Sequence, residues 1–432
     1  MKLAEELYKI SNTGKFWLTL DNAAKIYPAV MNSELTAVFR LTAVLREPAN
    51  ISAIMHALSK TEARFPFFLV QLKEGFFWYY LEQLPQPIPV EVDNKPLCRQ
   101  FSKNKLRLRV LIKDKKISLE CSHIITDGGG AFDFFQTFLD YYADELKDSS
   151  NHSNNAVTKK EIPGEEYEDS YKRYFKQDIP PMVSRSKAFH LPFSLNPKPR
   201  LRNYVYSINL VQLKQAAEKK KVSITDYLVA VYMCTLQEIY LNVKEQKKRN
   251  LKKWIRVQVP VNLRNIFPSK TMRNFSLFVM PELDLRLGHY TFDEILKSVY
   301  HQIRLETDDK LINKNISRNV GSEKKIYVKS IPLFLKTLIL RLNYYTKGVN
   351  QYSGVVTNLG KVKLADKTQN IIDYLIFTPP PPNRIIKAGC GIISFNNQLI
   401  ISFVNITSST DLEDKFLRIL QDQKIDIHPF EI

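Results

Sequence analysis

Residues Ile117 to Gly130 read ISLECSHIITDGGG, and the first half of that stretch alternates cleanly. Ile117, Leu119 and Cys121 share one parity, while Ser118, Glu120 and Ser122 share the other. Successive side chains of a strand point to opposite faces, so the segment predicts a strand with one apolar face. Continued by one residue, it puts His123 on the apolar side. Gly128, Gly129 and Gly130 then remove side chains where the chain must turn tightly. Beyond them Phe132, Phe135, Phe138, Leu139 and Tyr142 recur at helical spacing, which predicts a helix returning over the sheet.

An imidazole, with an unperturbed pKa of about 6.5, can take a proton from a hydroxyl or amine near neutrality and give it back. His123 is therefore a candidate general base. Asp127, four residues on, either holds the imidazole or braces the loop through an ion pair with a distant arginine. Taken alone, the segment reads first as a core histidine followed by an Asp-Gly turn, because buried polar groups are common once hydrogen-bonded.

Outward from this segment, the first 145 residues mix strand and helix signals: an extended run over 35–45, a helix over 51–64, and strands over 76–81 and 106–112. From about Lys147 to Asn203 the composition turns to Ser, Asn, Glu, Lys and Pro, as a crossover would. The second half opens with a strand over 204–210 and helices over 211–221 and 224–243. Ser223 with Asp226 announces the second of these helices. Strands are expected over 254–261, 275–283, 353–357, 388–395 and 398–404, with Asn396-Asn397 as the turn of a closing hairpin. Further helices are expected over 292–305 and 411–421. The halves use similar elements in similar order, without an internal repeat.

The chain has 432 residues, 44% hydrophobic and 25% charged, a globular composition with room for two or three domains. Its 63 Lys and Arg against 44 Asp and Glu leave a net charge of 63 − 44 = +19. Lys219–Lys221 and the run from Lys247 to Lys253 fall at a helix end and in a polar connection, and no nucleic-acid-binding motif accompanies them, so no nucleic-acid partner is expected. Cys98, Cys121, Cys234 and Cys390 are far apart, which excludes a disulfide framework and a CxxC metal or redox site. The N-terminus lacks the continuous apolar core of a signal peptide, and Lys336 and Arg341 interrupt the most apolar run, Ile331–Leu342. No transmembrane segment is predicted, and a cytoplasmic location is expected. Tyr344-Tyr345 and the stripe from Phe334 to Leu342 read as core packing, with contact to lipid or long acyl chains as the other reading. Pro379–Pro382 reads as a stiff extended loop.

His123-x-x-x-Asp127-Gly128 resembles the HxxxDG signature of the CoA-dependent acyltransferase superfamily. That superfamily includes chloramphenicol acetyltransferase, alcohol acetyltransferases, plant BAHD acyltransferases and the condensation domains of peptide synthetases. Two further segments resemble it in the same order. Pro260-Val261-Asn262-Leu263-Arg264, followed by Met272-Arg273-Asn274-Phe275, is similar to the segment whose arginine pairs with the signature aspartate, which makes Arg264 the expected partner of Asp127. Thr357-Asn358-Leu359-Gly360 is similar to the family's TNLG turn, where a hydroxyl or amide can meet the oxyanion of acyl transfer, so Thr357 and Asn358 are candidates. Residue 122 is Ser, so the doubled histidine of condensation domains and wax ester synthases is absent, and no DFGWG marks a plant member. The likeness is strongest to bacterial alcohol acetyltransferase-like proteins.

The resemblance implies an α/β fold of mixed sheets in two chloramphenicol-acetyltransferase-like lobes with an active-site channel between them. The lobes would be residues 1–165 and 204–432, joined by a crossover over 166–203. It further implies a monomeric acyltransferase that moves an acyl group, acetyl first, from acyl-CoA as co-substrate to a small alcohol or amine. His123 would be the base, Asp127 a structural brace and Gly128 part of the signature. No metal and no permanently bound cofactor are expected. Two alternatives stand beside this: a condensation or acylation domain served by an acyl carrier protein, and a non-catalytic binding protein of the same fold.

Overall fold

The computed structural model of the chain describes residues 9–10, 16–148, 163–177, 179–180 and 185–430. The predicted strand forms as Lys116–Ser122. It lies between Val38–Leu45 and Leu108–Lys113, antiparallel to both. Val90–Val92 extends this sheet at one edge, parallel to Leu108–Lys113. At the other edge stands Ile372–Thr378, antiparallel to Val38–Leu45. That last strand comes from the second half of the chain, so a strand crosses from one lobe into the other's sheet.

The helices Ile51–Arg64 and Gly128–Asp148 cover the apolar face of this sheet. Asn50 caps the first by accepting from the Ala53 amide at 3.1 Å. Its Ala53, Ile54, Ala57 and Leu58 share one core with Phe134, Phe135 and Phe138 of the second and with Leu119 and Cys121 of the strand. The polar parity is buried too: Ser118, Glu120 and Ser122 are at most 2% exposed. Glu120 is what makes that burial affordable, because it accepts from Arg40 Nη2 at 2.7 Å, Arg109 Nε at 2.8 Å and the Cys98 amide at 2.6 Å.

The second lobe is built on a larger sheet in the order Ser276–Val279, Trp254–Asn262, Gly354–Lys361, Ala388–Phe395, Gln398–Asn405, Arg202–Asn209 and Ile427–Pro429. Helix Ile224–Leu241 packs behind it, and its Ser223–Asp226 capping box is formed. The hairpin turn at Asn396-Asn397 has φ of +46° and +60°, the paired left-handed values of a type I′ turn. A third, four-stranded sheet contains Lys9–Ile10, Phe16–Thr19, Tyr79–Gln83 and Val70–Glu74. Described parts of the crossover are stitched down: Arg64 Nη2 lies 2.6 Å from Glu166, and Tyr171 donates to the Ser276 carbonyl at 2.6 Å. The Ser- and Asn-rich stretch over 149–162 lies outside the described residues.

Three expectations need correction. The strand read over 275–283 is two, Ser276–Val279 and Glu282–Asp284, because Pro281 has no amide to continue the ladder. Thr357 to Gly360 lie inside the strand Gly354–Lys361, and the turn is reduced to a register shift near Gly360, whose φ is +81°. The stripe from Phe334 to Leu342 faces outward on helix Leu333–Asn343, with Phe334 72% and Leu342 57% exposed. Among the described residues no helix is long and apolar enough to cross a membrane.

Candidate active site

The signature strand ends at Ser122, and the next amide, of His123, donates to the Ala37 carbonyl at 2.9 Å. The imidazole leaves the strand on the apolar side. It packs at 4.5 Å from the Phe39 ring and stacks on Tyr27, centroids 5.5 Å apart and planes 16° apart. Burial pushes its pKa below the ordinary value of 6.5, and the Asp127 charge with the polar groups of Thr126 and Asn274 pulls the other way. The net result is a ring that is neutral at pH 7, with Nδ1 buried.

Asp127 points away into a ring of donors. Its carboxylate accepts from Arg264 Nη1 at 2.9 and 3.1 Å, from the Phe275 amide at 2.7 Å and from the Gly130 amide at 3.0 Å. Burial alone would raise this carboxyl; Arg264 and the two amides bring it below the usual carboxylate value. Arg264 is itself held by the carbonyls of Thr271 at 3.0 Å and Arg273 at 2.5 Å. The structure thus brings Asp127 and Arg264 together and docks the signature loop of one lobe onto residues 262–275 of the other.

Two glycines make that approach possible. A Cβ on Gly128 would lie 2.7 Å from the Leu359 side chain, and one on Gly130 would lie 2.5 Å from the Met272 carbonyl. Leu359 belongs to the third motif, which therefore does reach the signature, through its leucine. Asn358 is otherwise engaged: its amide donates to Thr225 Oγ1 at 3.0 Å and its carbonyl accepts from the Gly360 amide at 2.8 Å. Thr357 is partly exposed, opposite Gly391 in the parallel register.

Sequence reasoning passed over the residues that seat the histidine. Asn274 donates to the His123 carbonyl at 2.9 Å and to Asp21 Oδ2 at 3.0 Å. Asp21 in turn accepts from the Ala24 amide at 2.8 Å, at the start of the helical turn that carries Tyr27. One amide therefore fixes both the histidine and the ring stacked on it. Burial raises the Asp21 carboxyl to about 6, against the opposing pull of Arg273. The only available signal was that Asn274 lies in the quoted Met272–Phe275 segment. Burial pushes the Tyr27 and Tyr352 phenols up and Tyr344 adds to both; the sequence reads Tyr344 only as core packing and gives no signal for Tyr27 or Tyr352.

Cys121 is fully buried with its thiol pushed far up by burial, as suits packing. Among the described residues no group of three His, Cys, Asp or Glu could hold a metal ion. Two surface cavities of about 350 and 370 Å³, one bordered by Lys220, Lys297 and His301, the other by Lys187, Lys252 and Trp254, lie apart from His123.

This architecture recurs in known structures. The chain is similar to the trichothecene 15-O-acetyltransferase of Fusarium sporotrichioides, at TM-score 0.62 and 9% identity over 96% of each chain. It is similar to the first condensation domain of the calcium-dependent antibiotic synthetase, at TM-score 0.61 and 12% identity over 94% of this chain and 95% of that one. It is also similar to polyketide synthase associated protein 5 of Mycobacterium tuberculosis, at 0.60 and 12% over 93% and 96%. The fold is that of the two-lobed CoA-dependent acyltransferase and condensation-domain superfamily. Within it, residues 204–280, which carry Arg264 and Asn274, match the alcohol acetyltransferase family. No curated protein matches the sequence.

Proposed function

We propose that the protein transfers an acyl group from acyl-CoA to an alcohol or amine, with His123 as general base. The observation that carries this reading is an imidazole fixed at the strand end against Phe39 and Tyr27 while the neighbouring carboxylate is fully occupied elsewhere. With Nδ1 buried, Nε2 is the nitrogen that takes the acceptor's proton. The freed oxygen or nitrogen attacks the thioester carbonyl, and the tetrahedral oxyanion collapses by expelling the thiolate, which recovers the proton from the imidazolium. Of the third motif, Thr357 is taken as the donor to the oxyanion, because the Asn358 amide is already bonded to Thr225. No cysteine enters, so donor and acceptor must be present together.

The likeness to a condensation domain favours a second reading, in which the donor thioester rides on an acyl carrier protein; the net charge of +19 suits docking of an acidic carrier. Both are tested by incubating the purified chain with acyl-CoAs of graded length, or with the same acyl groups on a carrier protein. Thiol release is then followed with and without alcohols and amines. Acceptor-dependent release from acyl-CoA supports the first reading, and release from the carrier alone supports the second. No release from either, across the acceptor panel, assigns the fold to a binding role.

A further inference from the structure

Helix Leu333–Asn343 is built inside out. Its one central cation, Lys336, is only 4% exposed. The ammonium sits 3.6 Å over the Trp78 ring and donates to the carbonyls of Phe77 and Lys329, each at 3.1 Å. Arg341 reaches across to the Ala29 carbonyl at 3.0 Å, and the Leu333 amide bonds the Phe76 carbonyl at 2.9 Å. The helix is therefore fastened to the protein largely through its polar groups. Its apolar residues stand outside: Phe334 is 72%, Leu335 42%, Leu338 55%, Ile339 45% and Leu342 57% exposed. At 100° per residue these five occupy a single face about 140° wide. Phe76, 73% exposed at the adjoining hairpin tip, extends the same patch.

A contiguous apolar face of this size on a folded protein marks an interaction surface. Its charge setting selects the occupant. Between Lys324 and Lys347 the chain has six cations, and from 324 to 365 it has no Asp or Glu. Lys329, Arg341 and Lys347 of that stretch are exposed. Two copies of this chain meeting face to face would oppose like charges, whereas anionic headgroups would neutralise them. We propose that helix Leu333–Asn343 and the Phe76 tip form a docking face for an anionic lipid surface, with the leucines and phenylalanines entering the acyl boundary and the lysines at headgroup level. This stands independently of the acyl-transfer reading. The face nevertheless lies beside the site, because Ala29 belongs to the same helical turn as Tyr27, which stacks on His123.

The test is co-sedimentation of the full chain with vesicles of phosphatidylcholine alone or mixed with phosphatidylglycerol. The wild type should bind the anionic vesicles about tenfold or more tightly than the neutral ones, and added salt should weaken that binding. Phe334→Asp with Leu338→Asp should abolish sedimentation, and Lys329→Glu with Lys347→Glu should reduce it to the neutral-vesicle level. All four side chains are exposed, so both variants should keep the wild-type melting transition, and the second pair keeps the test open if the first fails to fold. A wild type that stays in the supernatant with both vesicles overturns the proposal. So do double variants that sediment like wild type, or light scattering that shows a wild-type dimer dissociated by the aspartates, which would assign the face to a second copy.

Discussion

His123 and Asp127 lie four residues apart in one loop, and the fold treats them in opposite ways. The imidazole meets two aromatic faces, and its buried Nδ1 has no hydrogen-bond partner among the described residues. The carboxylate takes two backbone amides and a guanidinium that is itself tied to two carbonyls. A group that must change protonation during a reaction has to be left untied in both charge states; a group that holds two lobes together has to stay charged. The difference separates chemistry from scaffolding, and it predicts two kinds of mutant. His123→Ala should lower acyl transfer by about 10²–10⁴-fold, roughly 3–5 kcal/mol in barrier, with donor binding and melting temperature nearly kept. Turnover at the wild-type rate would remove the imidazole from the mechanism.

Asp127→Ala should do the reverse. It leaves the partly buried Arg264 without its charge partner, strips the acceptor from two backbone amides and costs about 3–5 kcal/mol of stability, read by denaturant titration. Activity should fall only in step with the folded fraction. A normal unfolding midpoint with lost activity would move Asp127 from scaffold to chemistry and break the contrast. Arg264→Ala should match it, and the double variant should cost little more than either single one, since the two side chains act as a unit.

Asn274 tests whether the histidine's seat belongs to the first kind or the second. Asn274→Ala strips a donor from the His123 carbonyl and from Asp21, so about 1–3 kcal/mol of stability should be lost. The Asp21 carboxyl, already at about 6, should rise further because the amide that lowers it has gone. A loss of kcat beyond the stability effect would mark Asn274 as a positioning residue for the ring. An unchanged unfolding midpoint would show that the amide is not satisfying a buried need.

What the sequence disclosed and what it withheld follow one line. The strand before His123, the capping box at Ser223 and the hairpin at Asn396-Asn397 are local, and their signals lie within a few residues. The segment Ile372–Thr378 carries enough apolar residues to be a strand, yet its partner lies some 330 residues earlier in Val38–Leu45, where no local pattern points. Helix Asp309–Lys324 was missed because only Ile312, Ile316 and Val320 mark its buried side, a thin stripe in a polar run. Periodicity found the apolar face of Leu333–Asn343 and assigned it to the wrong side, since spacing tells which residues share a face and not whether that face is covered. At the site, Asp127 and Arg264 were visible through motif resemblance, whereas Tyr27, Asp21 and Asn274 acquire their positions from tertiary approach.

The smallest expected effect tests whether the two ends of the signature still feel each other. Burial lowers the His123 pKa below 6.5, and the Asp127 charge opposes that shift by favouring the imidazolium. If the neutral ring is the base, kcat/KM should be flat near pH 7 and fall with unit slope as pH drops through a pKa below 6.5. Asp127→Asn keeps the shape of the side chain and removes its charge. The imidazolium then loses its stabilising field, so the acid limb should move to still lower pH, while desolvation remains the larger influence on the ring. An acid limb that stays put would mean the carboxylate's charge is fully spent on Arg264. A limb that moves up would mean the loop had opened and let water reach the ring, and scaffold and chemistry would then be less separable than the geometry suggests.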